Sequence, residues 1–262
     1  MSRPNFPPAR LVVSVVSHGH AELVQRLLEQ IAGAGEPVVS RVVLTQNIPE
    51  SHPHVPSGGW PFELEVAVNT TPAGFGANHN RALANVSESH VCVINPDVEL
   101  IPGQPPFSAL VQSCQSPGSG CAYPVQTAPD GAIQDSEREL PSPGALFRRR
   151  FLGAREQRVD WVNAACIALP VEVWRAVGGF DERYFMYCED VDMCLRVRLK
   201  GLRLVCAPVK VVHAGQRASH RRLQHLLWHV RSLWRLWRSP VYRQAQQLLT
   251  APSGGAGTIG PQ

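Results

Sequence analysis

Hydrophobic and polar positions along this 262-residue chain alternate between two periods, and the switching outlines an α/β fold. Arg10 to Ser17 is a short, nearly continuous apolar run rich in β-branched residues, the pattern of a strand buried on both faces of a parallel sheet. Leu23, Leu27, Leu28 and Ile31 then recur at helical spacing until Gly33 and Gly35 stop them, and Arg41 to Thr45 reads as a second strand. Strand, helix, strand at this spacing is a βαβ unit, and ligands of such sheets bind beyond the carboxyl ends of the strands. Ser17, His18, Gly19 and the stretch Thr45 to Asn47 are expected to line that crevice.

The alternation continues. Phe62 to Val68 has strand periodicity, and Val91 to Ile94 is a central strand that Pro96 ends at once, leaving Asp97 at its tip. Gly103 to Pro106 opens a helix through Val111, Gly120 to Val125 is a further strand, and Asp130-Gly131 predicts a turn into Ala132 to Ser136. Arg138 to Arg158, with Arg148, Arg149 and Arg150, reads as a long mobile loop over the crevice. Trp161 to Leu169 returns to the core, and Val171 to Val177 is a short helix ended by Gly178-Gly179. Val191, Cys194, Leu195, Val197 and Leu199 begin another helix, ended by Gly201, and Leu202 to Ala207 and Lys210 to His213 are two strands around Pro208. Ser219 to Tyr242 predicts one long helix, with Leu223, Leu226, Leu227, Val230, Leu233, Trp234 and Trp237 along one face and Arg221, Arg222, Arg231, Arg235 and Arg238 on the rest. Such a helix suits an anionic membrane surface, and equally suits packing on the domain or on a subunit partner. The chain thus divides into an N-terminal tail (1–9), one α/β domain (10–216), a basic amphipathic helix (217–243) and a disordered Gly-rich end (244–262).

Composition sharpens this outline. With 44% hydrophobic and 18% charged residues the chain reads as a folded soluble protein; no apolar run approaches the roughly 20 residues that cross a bilayer, and Met1 to Pro8 lacks the apolar core of a signal peptide. The cytoplasm is the expected location. The seven cysteines are scattered, never spaced Cys-x-x-Cys, and mostly set in apolar runs, which predicts buried free thiols. Charge is uneven: no Asp or Glu follows Asp192, whereas twelve Lys and Arg do, so a net charge of +4 conceals a basic C-terminal end. No nucleic-acid-binding motif accompanies that charge, so nucleic acid is not an expected partner. The oligomeric state stays open.

The chemistry concentrates in Gly178 to Asp192, where Asp181, Glu182, Glu189, Asp190 and Asp192 stand among Phe180, Tyr184, Phe185 and Tyr187. The rings should draw the segment against a core, where desolvation raises a carboxylate's pKa as a general base near neutrality requires; the following helix N-terminus favours the charged form instead. On this stretch alone, a site and an aromatic-packed acidic helix start both stand. Asp97 is placed either to bind a hard cation or to cap a turn. In Asn69 to Leu83, Gly74 and Gly76 permit close backbone approach, and a helix starting near Ala77 would offer amides to a phosphate. His52 and His54 read as solvated loop histidines.

Three blocks carry a family resemblance. Trp161-Val162-Asn163-Ala164-Ala165-Cys166, Gly178-Gly179-Phe180-Asp181-Glu182 and Tyr187-Cys188-Glu189-Asp190-Val191-Asp192-Met193-Cys194-Leu195-Arg196 are similar to the second half of family 2 glycosyltransferases, especially their rhamnosyltransferase-like branch. Gly74-Phe75-Gly76 with Asn78 and Asn80 resembles the segment after that family's third strand, and Asn95-Pro96-Asp97 resembles the form its Asp-x-Asp metal motif takes in this branch. The resemblance, from about Leu11 to Ser219, implies a GT-A fold: a Rossmann-like, mostly parallel central sheet flanked by helices, here followed by the amphipathic helix. It implies Asp190 as catalytic base, and Asp97 with His213 as ligands of a divalent cation, Mg²⁺ or Mn²⁺. Donor contacts would come from Ser17, His18, Asn47, Gly74, Phe75, Gly76, Asn80, Asn95 and Asp97, and acceptor or supporting contacts from Asp181, Glu189 and Trp161. The implied reaction is inverting transfer of a sugar, rhamnose-like, from a dTDP- or UDP-linked donor to a hydroxyl of a glycan or lipid-linked acceptor in cell-surface polysaccharide synthesis; the basic C-terminal helix, for its part, admits a peripheral place on the inner face of the plasma membrane. Three departures bear on this: Thr45-Gln46-Asn47 stands where the family usually has an Asp that reads the base or ribose, His18-Gly19 replaces its Tyr-Asn, and Asn163-Ala164-Ala165 stands where a Gly-Ala pair is usual. They admit an altered donor, or a catalytically silent relative that binds a glycan or a partner at the membrane. A nucleotidyltransferase would need a basic triphosphate loop, which Ser17 to Ala21 lacks.

Overall fold

The first apolar run forms β1 (Leu11–Ser17), and α1 (Ala21–Ala34) follows with Val24, Leu27, Leu28 and Ile31 buried. Gly35 closes that helix in the left-handed region, φ 61°, which glycine adopts without steric penalty. In this computed structural model, which describes residues 9–152, 158–214 and 222–250, β2 (Val39–Gln46) pairs in parallel with β1, and β3 (Glu63–Val68) in parallel with β2. After α2 (Phe75–Ala82), β4 (His90–Ile94) lies parallel to β1 on its other side. Then come β5 (Val98–Leu100), α3 (Pro106–Cys114), β6 (Ser119–Thr127), β7 (Glu137–Arg138), α4 (Pro143–Leu152), β8 (Trp161–Val162) and β9 (Cys166–Pro170). The chain finishes with α5 (Val171–Val177), α6 (Glu189–Leu199), β10 (Arg203–His213), α7 (Arg222–Arg238) and α8 (Pro240–Thr250).

The main sheet has the order β3-β2-β1-β4-β9-β6-β10-β5. Only β9 and β5 run against the others, so β1, β2, β4 and β10 all end at one edge. Both faces are covered. Leu11, Val13 and Val15 point into the layer that holds α1 and α3, while Val12 points to the layer of α2, α5 and α6, the two-residue alternation of a pleated strand. A third cluster joins Tyr184, Cys188, Val191 and Leu195 around the start of α6 to Leu236, Tyr242 and Ala245 of α7 and α8. The C-terminal helices are therefore part of the core that holds α6.

Several expectations change here. The single helix expected over 219–242 is two, broken at Ser239 and Pro240, because proline has no amide to continue the α7 ladder but suits the first turn of a new helix. Helix α8 also runs to Thr250, into the stretch expected to be disordered from 244. The two strands expected around Pro208 are one, β10, whose register with β6 shifts between Ala207 and Lys210 where proline interrupts the ladder. The expected loop 138–158 begins at the last residue of β7 and contains α4, while its residues 153–157 lie outside the described residues. Six cysteines are buried free thiols and Cys206 is exposed. The tail expected at 1–9 (but for Ala9), the side chains of Arg149, Arg150, Arg222 and Leu223, the stretch Ser219 to Arg221 and the end 251–262 lie outside the described residues.

Leu236 is fully buried against α6. Leu236→Ala should lower unfolding free energy by about 2–5 kcal/mol, as for other buried leucines truncated to alanine. Urea denaturation checks this; a loss near zero would mean that the C-terminal helices are not integral to the fold.

Candidate active site

A cavity of about 1120 Å³ opens at the edge where the parallel strands end. His18 and His20 reach it from the turn after β1, Asn47 from the tip of β2, Asn95, Pro96 and Asp97 from the tip of β4, and His213 from the end of β10. Phe185, Met186 and Tyr187 form another wall, and Gln224, His225 and Trp228 of α7 close it. Sequence reasoning missed the α7 wall. The signal was the spacing His225, Trp228, Ser232, a polar-aromatic stripe on the face opposite the exposed leucines.

Of the residues expected to contact a donor, His18, Asn47, Phe75, Asn95 and Asp97 line this cavity. Ser17, Gly74, Gly76 and Asn80 do not; they support the lining residues from behind. The Ser17 hydroxyl accepts the His20 amide at 3.2 Å. A Cβ on Gly74 would lie 2.7 Å from the Phe185 carbonyl, and one on Gly76 would lie 2.6 Å from Phe180 Cβ, so both glycines are there for close packing. The Asn80 amide is committed to the Phe180 backbone, accepting its N–H at 2.8 Å and donating to its carbonyl at 2.8 Å. Asn78, two residues earlier, lines the cavity instead. Asn47 is likewise occupied: its Oδ1 accepts from the Ala73 amide (2.8 Å) and Asn69 Nδ2 (2.9 Å), and its Nδ2 donates to the Ala73 carbonyl (3.0 Å). It clips the loop before α2 to the end of β2. His52 and His54 are not among the cavity's walls.

The segment Phe185 to Cys188 is held from two sides. The Phe75 amide donates to the Phe185 carbonyl at 3.0 Å. From α7, Ser232 Oγ donates to the Met186 carbonyl at 2.8 Å, the Tyr187 hydroxyl and His225 Nδ1 are 2.7 Å apart, and Trp228 packs on Phe185 with ring centroids 5.0 Å apart. Between these anchors Tyr187 and Cys188 both adopt left-handed backbone, φ 70° and 66°. Each such non-glycine residue costs on the order of 1–3 kcal/mol and persists only where surroundings hold it. The turn aims α6 so that Glu189 and Asp190 form its first turn.

Of the two effects that oppose each other at these carboxylates, burial prevails. Asp190 keeps some exposed surface, yet protein surrounds its carboxylate closely enough to push its pKa up to about 6, against the pull of amide bonds from Val191 (2.8 Å), its own backbone and Ala164. Glu189 is buried, and desolvation together with the neighbouring Asp190 charge pushes it well above the ordinary range. Asp192 is raised by burial despite its ion pair with Arg196 at 2.7 Å. Asp181 goes the other way: partial burial opposes its charge, but the bonds and charge of Arg183 outweigh that and hold it low. Asp181 and Asp190 are not walls of the cavity itself. A short relay connects Asp190 to the cavity's Asn95 wall, since Ala164 binds Asp190 and the adjoining Ala165 carbonyl accepts the Asn95 amide at 2.8 Å. Trp161 is turned away, its indole N–H donating to the Glu139 carbonyl at 2.9 Å.

Asp97 and His213 meet because β10 pairs antiparallel with β5, setting His213 opposite Val98. His213 Nε2 is 3.5 Å from Asp97 Oδ1, and the Gln134 side chain donates to the His213 carbonyl at 2.6 Å. Two such donors are close enough to be neighbours on one ion. Among the described residues there is no cluster of three or more His, Cys, Asp and Glu that would hold a metal unaided, and no Lys or Arg lines the cavity. The donor set fits an ion whose remaining ligands come from a bound anion.

Comparison with known proteins gives a consistent result. The model of the family described as "Glycosyltransferase like family 2" matches residues 7–232. The chain is 27% identical over 271 residues to an N-acetylglucosaminyl-diphospho-decaprenol L-rhamnosyltransferase of Mycobacterium tuberculosis, covering 88% of this chain and 87% of that protein. It is 26% identical over 258 residues to the rhamnosyltransferase WbbL of Escherichia coli K12, covering 85% and 90%. Among solved structures, the mannosyltransferase PcManGT of Pyrobaculum calidifontis, in complex with GDP-Man and Mn²⁺, superposes with a TM-score of 0.59 at 18% identity, covering 95% of this chain and 74% of that one. The fold is that of the GT-A glycosyltransferases.

The raised carboxylates predict a stability effect of definite sign. An acid whose folded pKa lies above its unfolded value binds more protons when folded, so its charge opposes folding at neutral pH and the opposition fades as pH falls. For Asp190 that window runs from about 6 down to its ordinary 3.8. Glu189→Gln should therefore raise the melting temperature at pH 7.5 by a few degrees and flatten its pH dependence. Calorimetry between pH 5 and 8 checks it; a lower melting temperature at pH 7.5 would show that the Glu189 charge is compensated.

Proposed function

The chain belongs to glycosyltransferase-like family 2, and from that premise we propose that it moves a sugar, rhamnose-like, from a nucleoside diphosphate to a hydroxyl of a glycan or lipid-linked acceptor, with inversion. The observation that carries the reading is Asp190: a carboxylate pushed up to about 6, fixed at the start of α6 and tied through Ala164 and Ala165 to Asn95, a wall of the cavity at the strand tips. Such a group is ionised at neutral pH yet basic enough to take a proton as the transition state forms. The acceptor oxygen attacks the anomeric carbon, its proton passes to Asp190, and the bond from that carbon to the diphosphate oxygen breaks on the opposite face. The diphosphate leaves with the electron pair, so charge develops where the strand tips converge.

Asp97 and His213 would hold a divalent cation, Mg²⁺ or Mn²⁺, which when bound would supply Lewis-acid stabilisation of the leaving group. The Mn²⁺ named with PcManGT supports this reading. Phe185 and Trp228 offer flat apolar surface, and His18 and His20 polar contacts, to the donor. The Asn47 side chain is held by the Ala73 backbone, which supports a donor base read by other groups than an acid at the β2 tip. The rhamnosyltransferase names of two relatives favour dTDP-rhamnose over a UDP-linked sugar, and the decaprenol-linked substrate named for one favours a lipid-linked acceptor.

Asp190→Asn should lower turnover at least about a hundredfold, the usual worth of a positioned base, while leaving donor binding in place. Retention of more than about a tenth of wild-type turnover would remove Asp190 from this role. In the wild type, kcat/KM should fall tenfold per pH unit below about 6, as protonation removes the base. A flat profile down to pH 5 would contradict the assignment.

A further inference from the structure

Helix α7 has two apolar faces. The inner one, with Ser232 and Leu236 buried, packs on the domain and walls the cavity with His225 and Trp228. The outer one is uncovered: Leu226, Leu227, Val230 and Trp234 are 58, 69, 58 and 59% exposed. Their spacing of one, three and four residues puts them on one arc of the helix, turned away from Ser232 and Leu236. The exposed Arg231 and Arg238 border that arc, and the Arg238 guanidinium lies over the Trp234 ring, 5.3 Å from its centroid.

We propose that this outer face of α7 seats the protein on an anionic bilayer surface. The apolar side chains would enter the boundary between headgroups and acyl chains, Trp234 would lie at headgroup depth where its amphipathic ring is favoured, and the arginines would meet lipid phosphates. Charge complementarity selects this occupant. No Asp or Glu follows Asp192, so nothing nearby along the chain neutralises the arginine border. A second copy fits poorly: a two-fold pairing would set like arginines against each other, and four side chains fall short of the roughly 800 Å² each partner contributes to a stable dimer. The helix that meets the lipid also walls the cavity, so an acceptor anchored in that bilayer would be presented within about one helix diameter, roughly 10 Å, of the cavity wall. The proposal deepens the lipid-linked-acceptor reading and rests on it for its purpose, while its test involves no sugar transfer.

The test is sedimentation of the full-length protein with phosphatidylcholine vesicles, alone or with about 30% phosphatidylglycerol, a proportion that gives a strongly anionic surface. Binding is expected to the anionic vesicles only, to weaken with salt, and to fall at least about tenfold both in Leu227→Glu with Val230→Glu and in Arg231→Gln with Arg238→Gln. Circular dichroism confirms folding, and if the first pair fails to fold the arginine pair carries the test. No binding, equal binding to neutral vesicles, or unchanged binding by a folded variant would overturn the proposal. So would light scattering that shows a wild-type dimer dissociated by the outer-face substitutions, which would assign the face to a second copy. Loss of vesicle binding would leave the glycosyl-transfer reading untouched, and absence of transfer would leave vesicle binding to be judged by itself.

Discussion

Two consecutive residues in left-handed backbone, Tyr187 and Cys188, set the direction in which α6 starts. Neither is glycine, so the turn exists only because its surroundings hold it. One support is the close approach of Gly74 and the Phe75 amide to Phe185; the other is α7, through Ser232, His225 and Trp228. Behind the turn, Cys188 is buried with Leu195, Leu236 and Tyr242. The glycine-rich loop, the acidic segment and the C-terminal helices are thus one mechanical unit. Its product is the placement of Asp190 in the first turn of α6, linked through Ala164 and Ala165 to Asn95 at the tip of β4.

That placement has an electrostatic consequence. A helix start and several amide bonds would hold Asp190 ionised at low pH, but protein around the carboxylate removes water and raises its pKa to about 6. Glu189, deeper, is raised further, and Asp181 is held low by Arg183. Carboxylates within one short segment therefore have different proton affinities, and Asp190, raised to about 6, is the one whose affinity would suit the proposed base near neutrality. The energetic burden of charged burial falls on stability, and the packing of α7 and α8 against α6 offsets it.

Much of this was legible along the chain because local pattern and chemistry agree there. The β1-α1-β2 unit follows from periodicity, Asp97 stands at a strand tip because Pro96 ends β4, and His213 meets it as the β10 pairing brings the two ends together. Roles settled by distant partners were not legible. Asn80 looks like a ligand contact, but Phe180, far away in sequence, holds both ends of its amide, and Asn47, which does line the cavity, also clips the Ala73 backbone. Gly74 and Gly76 do permit the close approach expected of them, but the groups that approach are Phe185 and Phe180, which the local sequence does not name. For α7, the exposed Leu and Trp face dominates the pattern, while the His225, Trp228 and Ser232 face that shapes the cavity is faint because histidine and serine carry little hydrophobic signal. A helix with two useful faces defeats a reading that assigns one.

The account stands or falls on whether the strand-tip cavity binds a nucleoside diphosphate through Asp97. The direct measurement is a thermal shift with dTDP, UDP, GDP and CMP, each with and without Mn²⁺, on the wild type and on Asp97→Ala. A ligand at a hundred times its Kd stabilises the native state by about 2.7 kcal/mol, a shift of several degrees in a chain of this size. The account predicts a Mn²⁺-dependent shift with dTDP or UDP that Asp97→Ala abolishes. No shift with any of the four, or an equal shift in the variant, would contradict it.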